Sequence, residues 1–104
     1  MSLAQADFVN LEDAVATISS GSSLVITGAM SNAPMALVRE LIRQKKTDLH
    51  VTVSPVGGIN VDLLIGAGAV RSVEFPQISL GEFGLAPNFR RAAEKGSIKL
   101  FEHT

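Results

Sequence analysis

Residues 24–54, LVITGAMSNAPMALVRELIRQKKTDLHVTVS, read as one strand, one loop, one helix and a second strand. Leu24-Val25-Ile26-Thr27 is a short apolar run rich in β-branched residues. It lacks strict alternation, which suits a strand buried on both faces. Gly28 closes it. From Pro34 to Lys45 the period changes: Leu37, Val38, Leu41 and Ile42 form one apolar stripe, and Arg39, Glu40, Arg43 and Gln44 take the other side. Pro34 fits a first turn, where a missing N–H is harmless. Lys45 and Lys46 follow where the helix dipole favours positive charge. Leu49 to Ser54 is again strand-like. A strand, helix and strand in this order imply a parallel pair with a right-handed crossover.

The same alternation continues on both sides. Upstream, Leu11, Ala14, Val15 and Ile18 recur at helical spacing, so a helix is predicted from Leu11 to about Ser19. Asn10 is its expected N-cap, with Asp13 three residues on. Gly21 ends it. Downstream, Pro55 and Gly57-Gly58 break the second strand, and Asn60 is expected to cap a short helix through Ile65. Val70 to Phe75 reads as a third strand and Pro76 to Ala86 as a longer loop. Pro87 opens another helix, with Phe89, Ala92 and Ala93 on one face and Gly96 just past its end. Ile98 to Phe101 is the last strand. Four alternations predict an α/β fold, an open and mainly parallel sheet with flanking helices. Residues 1–104 form a single domain on this reading, with no internal repeat and no linker.

Composition narrows the function. The chain has 104 residues, 46% hydrophobic and 18% charged, which suits a packed core rather than a disordered tail. A net charge of −1 and a pI near 6.1 argue against nucleic acid, which favours a clustered basic surface. No cysteine is present, so disulfides, thiolate catalysis and cysteine–zinc sites are excluded. Met1 to Asp7 lacks the basic region and apolar core of a signal peptide. The apolar stretch from Val61 to Val70 is too short to span a bilayer. No membrane association is expected, and the location is expected to be cytoplasmic.

Motifs carry the reading only part of the way. Gly66-Ala67-Gly68 resembles the start of a dinucleotide fingerprint, but position 71 is Arg71 and the pair precedes a strand instead of opening a helix. Thr27-Gly28-Ala29-Met30-Ser31-Asn32 follows a strand and precedes a helix, so its N–H groups could face a carbonyl oxygen or a phosphate. An ordinary βα turn explains it as well. Ser54-Pro55-Val56-Gly57-Gly58 is ambiguous in the same way. His50 and His103 have no metal-ligand spacing and read as solvated or core histidines; no metal site is expected. Arg90-Arg91 reads first as a solvated helix face. Glu82 lies in the long loop, and Glu102 ends the last strand, where open α/β sheets place their ligands. For each, a solvated surface acid is the default. The chain stops directly after that strand, where a functional loop is expected to begin, so it reads as a fragment or as one part of a larger assembly.

Several segments, in order, resemble the α-type subunit of class I coenzyme A transferases, close to the glutaconate CoA-transferase branch. The most specific is Phe83-Gly84-Leu85-Ala86-Pro87-Asn88-Phe89-Arg90-Arg91-Ala92 within residues 81–96. Leu11-Glu12-Asp13-Ala14-Val15, residues 34–41 (PMALVREL) and residues 62–70 (DLLIGAGAV) support it. They match the first part of a family subunit, and the downstream segments are absent.

The resemblance implies a hetero-oligomer with a β-type partner. It also implies CoA transfer between an acyl-CoA and a carboxylic acid, through a glutamyl-CoA thioester on a partner glutamate. Coenzyme A enters as a substrate, and no permanently bound cofactor is implied. The resemblance assigns Gly28, Ala29 and Met30 to an oxyanion and acyl-pocket loop. Relatives commonly carry two glycines and an aromatic residue there, so Ala29 and Met30 depart from the pattern. Glu102 matches an acid that closes the corresponding strand and is the expected catalytic side chain. Gly57, Gly58 and Glu82 are expected to contact substrate. Other readings stay open: an acyl-CoA hydrolase or ring-opening lyase on the same scaffold, a non-catalytic ligand-binding or assembly domain, and, on thinner grounds, a sugar-phosphate isomerase.

Overall fold

Four strands, β1 (Ser23–Thr27), β2 (Leu49–Ser54), β3 (Val70–Phe75) and β4 (Lys99–Glu102), lie side by side in chain order, every neighbouring pair parallel. They are seen in a computed structural model that describes residues 8–27, 33–54, 56–78, 80 and 86–103. The helices are α1 (Leu11–Ala16), α2 (Met35–Arg43), α3 (Ile59–Gly66) and α4 (Pro87–Lys95). The α/β class and the parallel sheet expected from the alternation are therefore present.

Chain-order neighbours joined by right-handed crossovers put all connecting helices on one face. The packing agrees: α1 contacts α2, α2 contacts α3, and α3 contacts α4. Leu24, Val51, Val73 and Leu100 share one register row of the sheet. Val51 and Val73 from that row, with Leu49, Val53 and Phe75, are buried with Val38 and Leu41 of α2, Val61 and Leu64 of α3 and Ala92 of α4 in one hydrophobic core. The next row, Val25, Thr52, Glu74 and Phe101, points to the other face. Among the described residues no connecting helix lies on that face, and Val25 is 69% and Phe101 48% exposed. On it His50 Nδ1 lies 2.5 Å from Ser72 Oγ, and its ring meets Phe101 edge-on. Parallel sheets are normally covered on both faces; among the described residues the helices cover this one on one face.

Local chemistry explains the element ends. Asn10 caps α1 as expected, its Oδ1 accepting the Asp13 N–H at 2.8 Å. The helix ends at Ala16, short of Ser19, because the Thr17 hydroxyl and the Thr17 N–H both turn back to the Ala14 carbonyl. Pro34 is the N-cap of α2, one position before its expected place. Lys45, at φ 56°, leaves the helical region after Gln44. Gly58, not Asn60, is the N-cap of α3, and Asn60 lies inside the helix. Gly96 closes α4 at φ 66°, the left-handed conformation that glycine adopts without a Cβ penalty. Arg71 is the extra residue of a bulge, since Leu49 pairs with Val70 but His50 with Ser72.

Candidate active site at the strand ends

All four strands run the same way, so Thr27, Ser54, Phe75 and Glu102 end on one edge of the sheet. In an open parallel sheet this is the edge where ligands bind. The loops beyond it are therefore the place to look for chemistry.

The β2–α3 loop is built tightly. The Gly57 N–H donates to the Gln77 carbonyl at 2.9 Å, and Gly57 forms an isolated parallel bridge with Ile78. A Cβ at Gly57 would lie 3.1 Å from Ile78 Cγ1, 3.1 Å from Val53 Cγ1 and 3.2 Å from Val61 Cγ2. A Cβ there would be tight against three core side chains, each of which would have to give by a few tenths of an ångström. The next N–H, that of Gly58, donates to Asn60 Oδ1 at 3.1 Å. Both N–H groups of this glycine pair are thus engaged inside the protein, so a substrate contact at Gly57 or Gly58 would not run through them.

Asn60 and Asp62 are the buried polar side chains of this edge, 1% and 5% exposed. Asn60 Oδ1 also accepts the Val61 N–H at 2.9 Å, and its Nδ2 donates to the Thr27 carbonyl at 3.3 Å. Asp62 reaches from α3 to the start of α4: Oδ1 accepts the Phe89 N–H at 2.7 Å and Oδ2 accepts Asn88 Nδ2 at 3.2 Å. The sequence named neither residue for these roles. Asn60 was legible as a cap but not as a bridge to β1, and Asp62 is 26 residues from Asn88.

Glu102 is exposed and closes β4, paired in register with Phe75. The next residue, His103, donates its N–H to the Phe75 carbonyl at 3.0 Å and places Nδ1 3.8 Å from Glu74 Oε2. β1 and β4 are opposite edge strands, three interstrand spacings apart, or roughly 14 Å. Glu102 and Thr27, the last residues of these two strands, therefore lie on opposite sides of the sheet edge. Gly28, Ala29, Met30 and Glu82 lie outside the described residues. Arg90 and Arg91 lie on an exposed helix face, Arg90 paired with Glu94 at 3.1 Å and Arg91 with Asn88. Among the described residues no group of three or more His, Asp or Glu side chains could hold a metal ion. No helix among them is long and apolar enough to cross a membrane.

Comparison with known proteins places this arrangement. The family described as Coenzyme A transferase matches residues 8–103. A cholesterol ring-cleaving hydrolase IpdA subunit from Mycobacterium tuberculosis is 39% identical over 94 residues, covering 88% of this chain and 32% of that protein. A 3-oxoadipate CoA-transferase subunit of Pseudomonas knackmussii is 33% identical over 103 residues, covering 95% and 36%. Among solved structures, a variant of the decarboxylase AibA/AibB superposes with a TM-score of 0.82 at 35% identity, covering 92% of this chain and 38% of that one. Glutaconate coenzyme A-transferase from Acidaminococcus fermentans superposes with a TM-score of 0.81 at 27% identity, covering 92% and 31%. The chain spans roughly a third of the length of each.

Proposed function

The chain belongs to the coenzyme A transferase family, and we propose that it forms the first part of an α-type subunit that moves CoA between an acyl-CoA and a carboxylic acid. The observation that carries this reading is the match to the family from residue 8 to residue 103. The sheet supports it, since an all-parallel sheet covered on one face suits one part of a larger unit.

The chemistry runs through a glutamate on a β-type partner. Its carboxylate attacks the thioester carbonyl, the C–S bond breaks, and an acyl–glutamyl anhydride forms with CoA thiolate released. The thiolate attacks the glutamyl carbonyl, giving a glutamyl-CoA thioester and the free first acid. The acceptor carboxylate then attacks that thioester, breaking its C–S bond to form a second anhydride and release the thiolate, which attacks the acceptor's acyl carbonyl, giving the new acyl-CoA and freeing the glutamate. Splitting one transfer into these steps is covalent catalysis. In this scheme the backbone at Gly28, Ala29 and Met30 serves the oxyanion. Glu102 is a polar side chain on the far part of the edge, Glu82 is assigned to substrate binding, and Gly57-Gly58 shape the floor. The β-type partner, the hetero-oligomer and a cytoplasmic location belong to the same proposal.

A second reading is hydrolysis or ring opening of an acyl-CoA on the same scaffold. Two observations favour it: the 39% identity to part of a ring-cleaving hydrolase, and Ala29-Met30 in the loop. Intact mass spectrometry of the complete complex after acyl-CoA and borohydride separates the two. A CoA-dependent modification trapped on a partner glutamate is expected for transfer. No adduct, with free acid and free CoA accumulating, would move the assignment to hydrolysis.

A further inference from the structure

Asn60 is buried to 1% exposure at the start of α3, yet it does not serve as that helix's N-cap. Its carboxamide works in two directions. Oδ1 accepts the N–H groups of Gly58 and Val61, at 3.1 and 2.9 Å. Nδ2 donates to the Thr27 carbonyl at 3.3 Å, 33 residues away in sequence. The partners fix the orientation of the amide: two backbone N–H groups can meet only its oxygen, and a carbonyl can meet only its nitrogen. Thr27 is the last residue of β1, and Gly58 is the N-cap of α3. Gly57, just before, is itself clamped by Gln77, Ile78, Val53 and Val61. One side chain therefore joins the end of β1 to the Gly57-Gly58 turn.

We propose that Asn60 is a positioning residue that sets where the chain leaves β1 relative to the Gly57-Gly58 turn, and so presets the strand-end site. A helix cap alone would need only the oxygen of this side chain. Its nitrogen, directed at a carbonyl on another strand, is the part that does the positioning. The bonding stands on the geometry above; its effect on turnover rests on the acyl-CoA reading.

Asn60→Asp separates the two halves, because it keeps Oδ1 for Gly58 and Val61 and replaces the donor to Thr27 with an oxygen. The test uses the complete α-type chain with its partner. Thr27-Gly28 is the only Thr-Gly pair in these 104 residues, so 13C-carbonyl threonine with 15N-glycine reports that peptide together with any Thr-Gly pair elsewhere in the complex. Thr27→Ser removes the signal and so assigns it. In Asn60→Asp the Thr27 carbonyl signal is expected to move upfield as its donor is lost. Turnover of acyl-CoA is expected to lose about tenfold or more in kcat while KM changes less than about threefold, the mark of lost preorganisation and not of lost binding. An unmoved carbonyl signal overturns the proposal, and so does a moved signal with unchanged kcat. If the wild-type complex turns over no acyl-CoA, the functional reading fails, and the carbonyl signal alone decides whether the tie exists. Should Asn60→Asp not fold, Asn60→Ser replaces it. Its hydroxyl can accept one N–H but cannot reach Thr27, and the same two outcomes decide.

Discussion

Asp62 Oδ1 accepts the main-chain N–H of Phe89 at 2.7 Å, so the N-terminus of α4 is capped by a side chain of α3. The helix's own N-cap residue, Ala86, has no side chain to do this. The carboxylate also lies where the helix dipole favours negative charge. The bond sets Phe89 edge-on against Phe75, ring centroids 5.1 Å apart, and so ties α4 to the end of β3. Asp62→Ala is expected to cost about 1–3 kcal/mol, because the Phe89 N–H loses its buried partner. Asp62→Asn keeps an acceptor for the Phe89 N–H but turns a donor toward Asn88 Nδ2, and is expected to cost less than Asp62→Ala, about 0.5–1.5 kcal/mol. Urea midpoints of the two variants check this, and equal values would show that the cap is unimportant.

Gly66 faces the same junction. A Cβ there would stand 2.5 Å from Asn88 Nδ2, which is held by Asp62. Helix propensity favours Gly66→Ala by about 1 kcal/mol. Displacing Asn88 is expected to outweigh that, for a net loss of about 1–2 kcal/mol of the overpacking kind. A thermal melt that rises on substitution would refute the clash.

Gly57→Ala tests whether that glycine is there for packing. A methyl group there would lie 3.1–3.2 Å from Ile78, Val53 and Val61, so these core side chains would have to shift by a few tenths of an ångström. A loss of about 1–3 kcal/mol is expected, although the N–H bonded to Gln77 is kept. Unchanged stability with lost acyl-CoA turnover would instead make Gly57 a ligand contact.

Glu102→Gln addresses chemistry and not folding. The side chain is exposed on an edge strand, so stability is expected to stay within about 0.5 kcal/mol. If Glu102 acts on substrate, kcat/KM falls at least about tenfold. Full activity in the assembled complex removes it from the site.

Among the described residues, acid stability has one identifiable contributor. The Arg43 guanidinium, with the Gln44 amide second, holds the Glu40 carboxyl at about 2, below its ordinary 4.5. A depressed carboxylate stabilises the fold fully above the unfolded value, near 4.5. The contribution is lost as pH falls through the folded value of about 2. The difference in urea midpoint between wild type and Glu40→Gln is expected to be largest above pH 4.5 and to narrow below it. A gap constant with pH would show that the pair does not act through its charge.

Local signals in the chain were enough to define the four strands and four helices. They are a period of about four in Leu37, Val38, Leu41 and Ile42, β-branched runs at residues 24–27 and 49–54, and Asn10 and Gly96 at helix ends. The ligand edge was legible too, since parallel strands end together and Glu102 closes one of them. What the polar residues of that edge do was settled only by packing. Asn60 reaching Thr27 and Asp62 reaching Phe89 are bonds between residues 33 and 27 apart. No local pattern encodes them, because the partners are backbone groups whose positions exist only once the sheet and its helices have packed. The separation of Glu102 from β1 was likewise invisible until the strand order made them opposite edges. The engagement of the Gly57 and Gly58 N–H groups followed from the same packing.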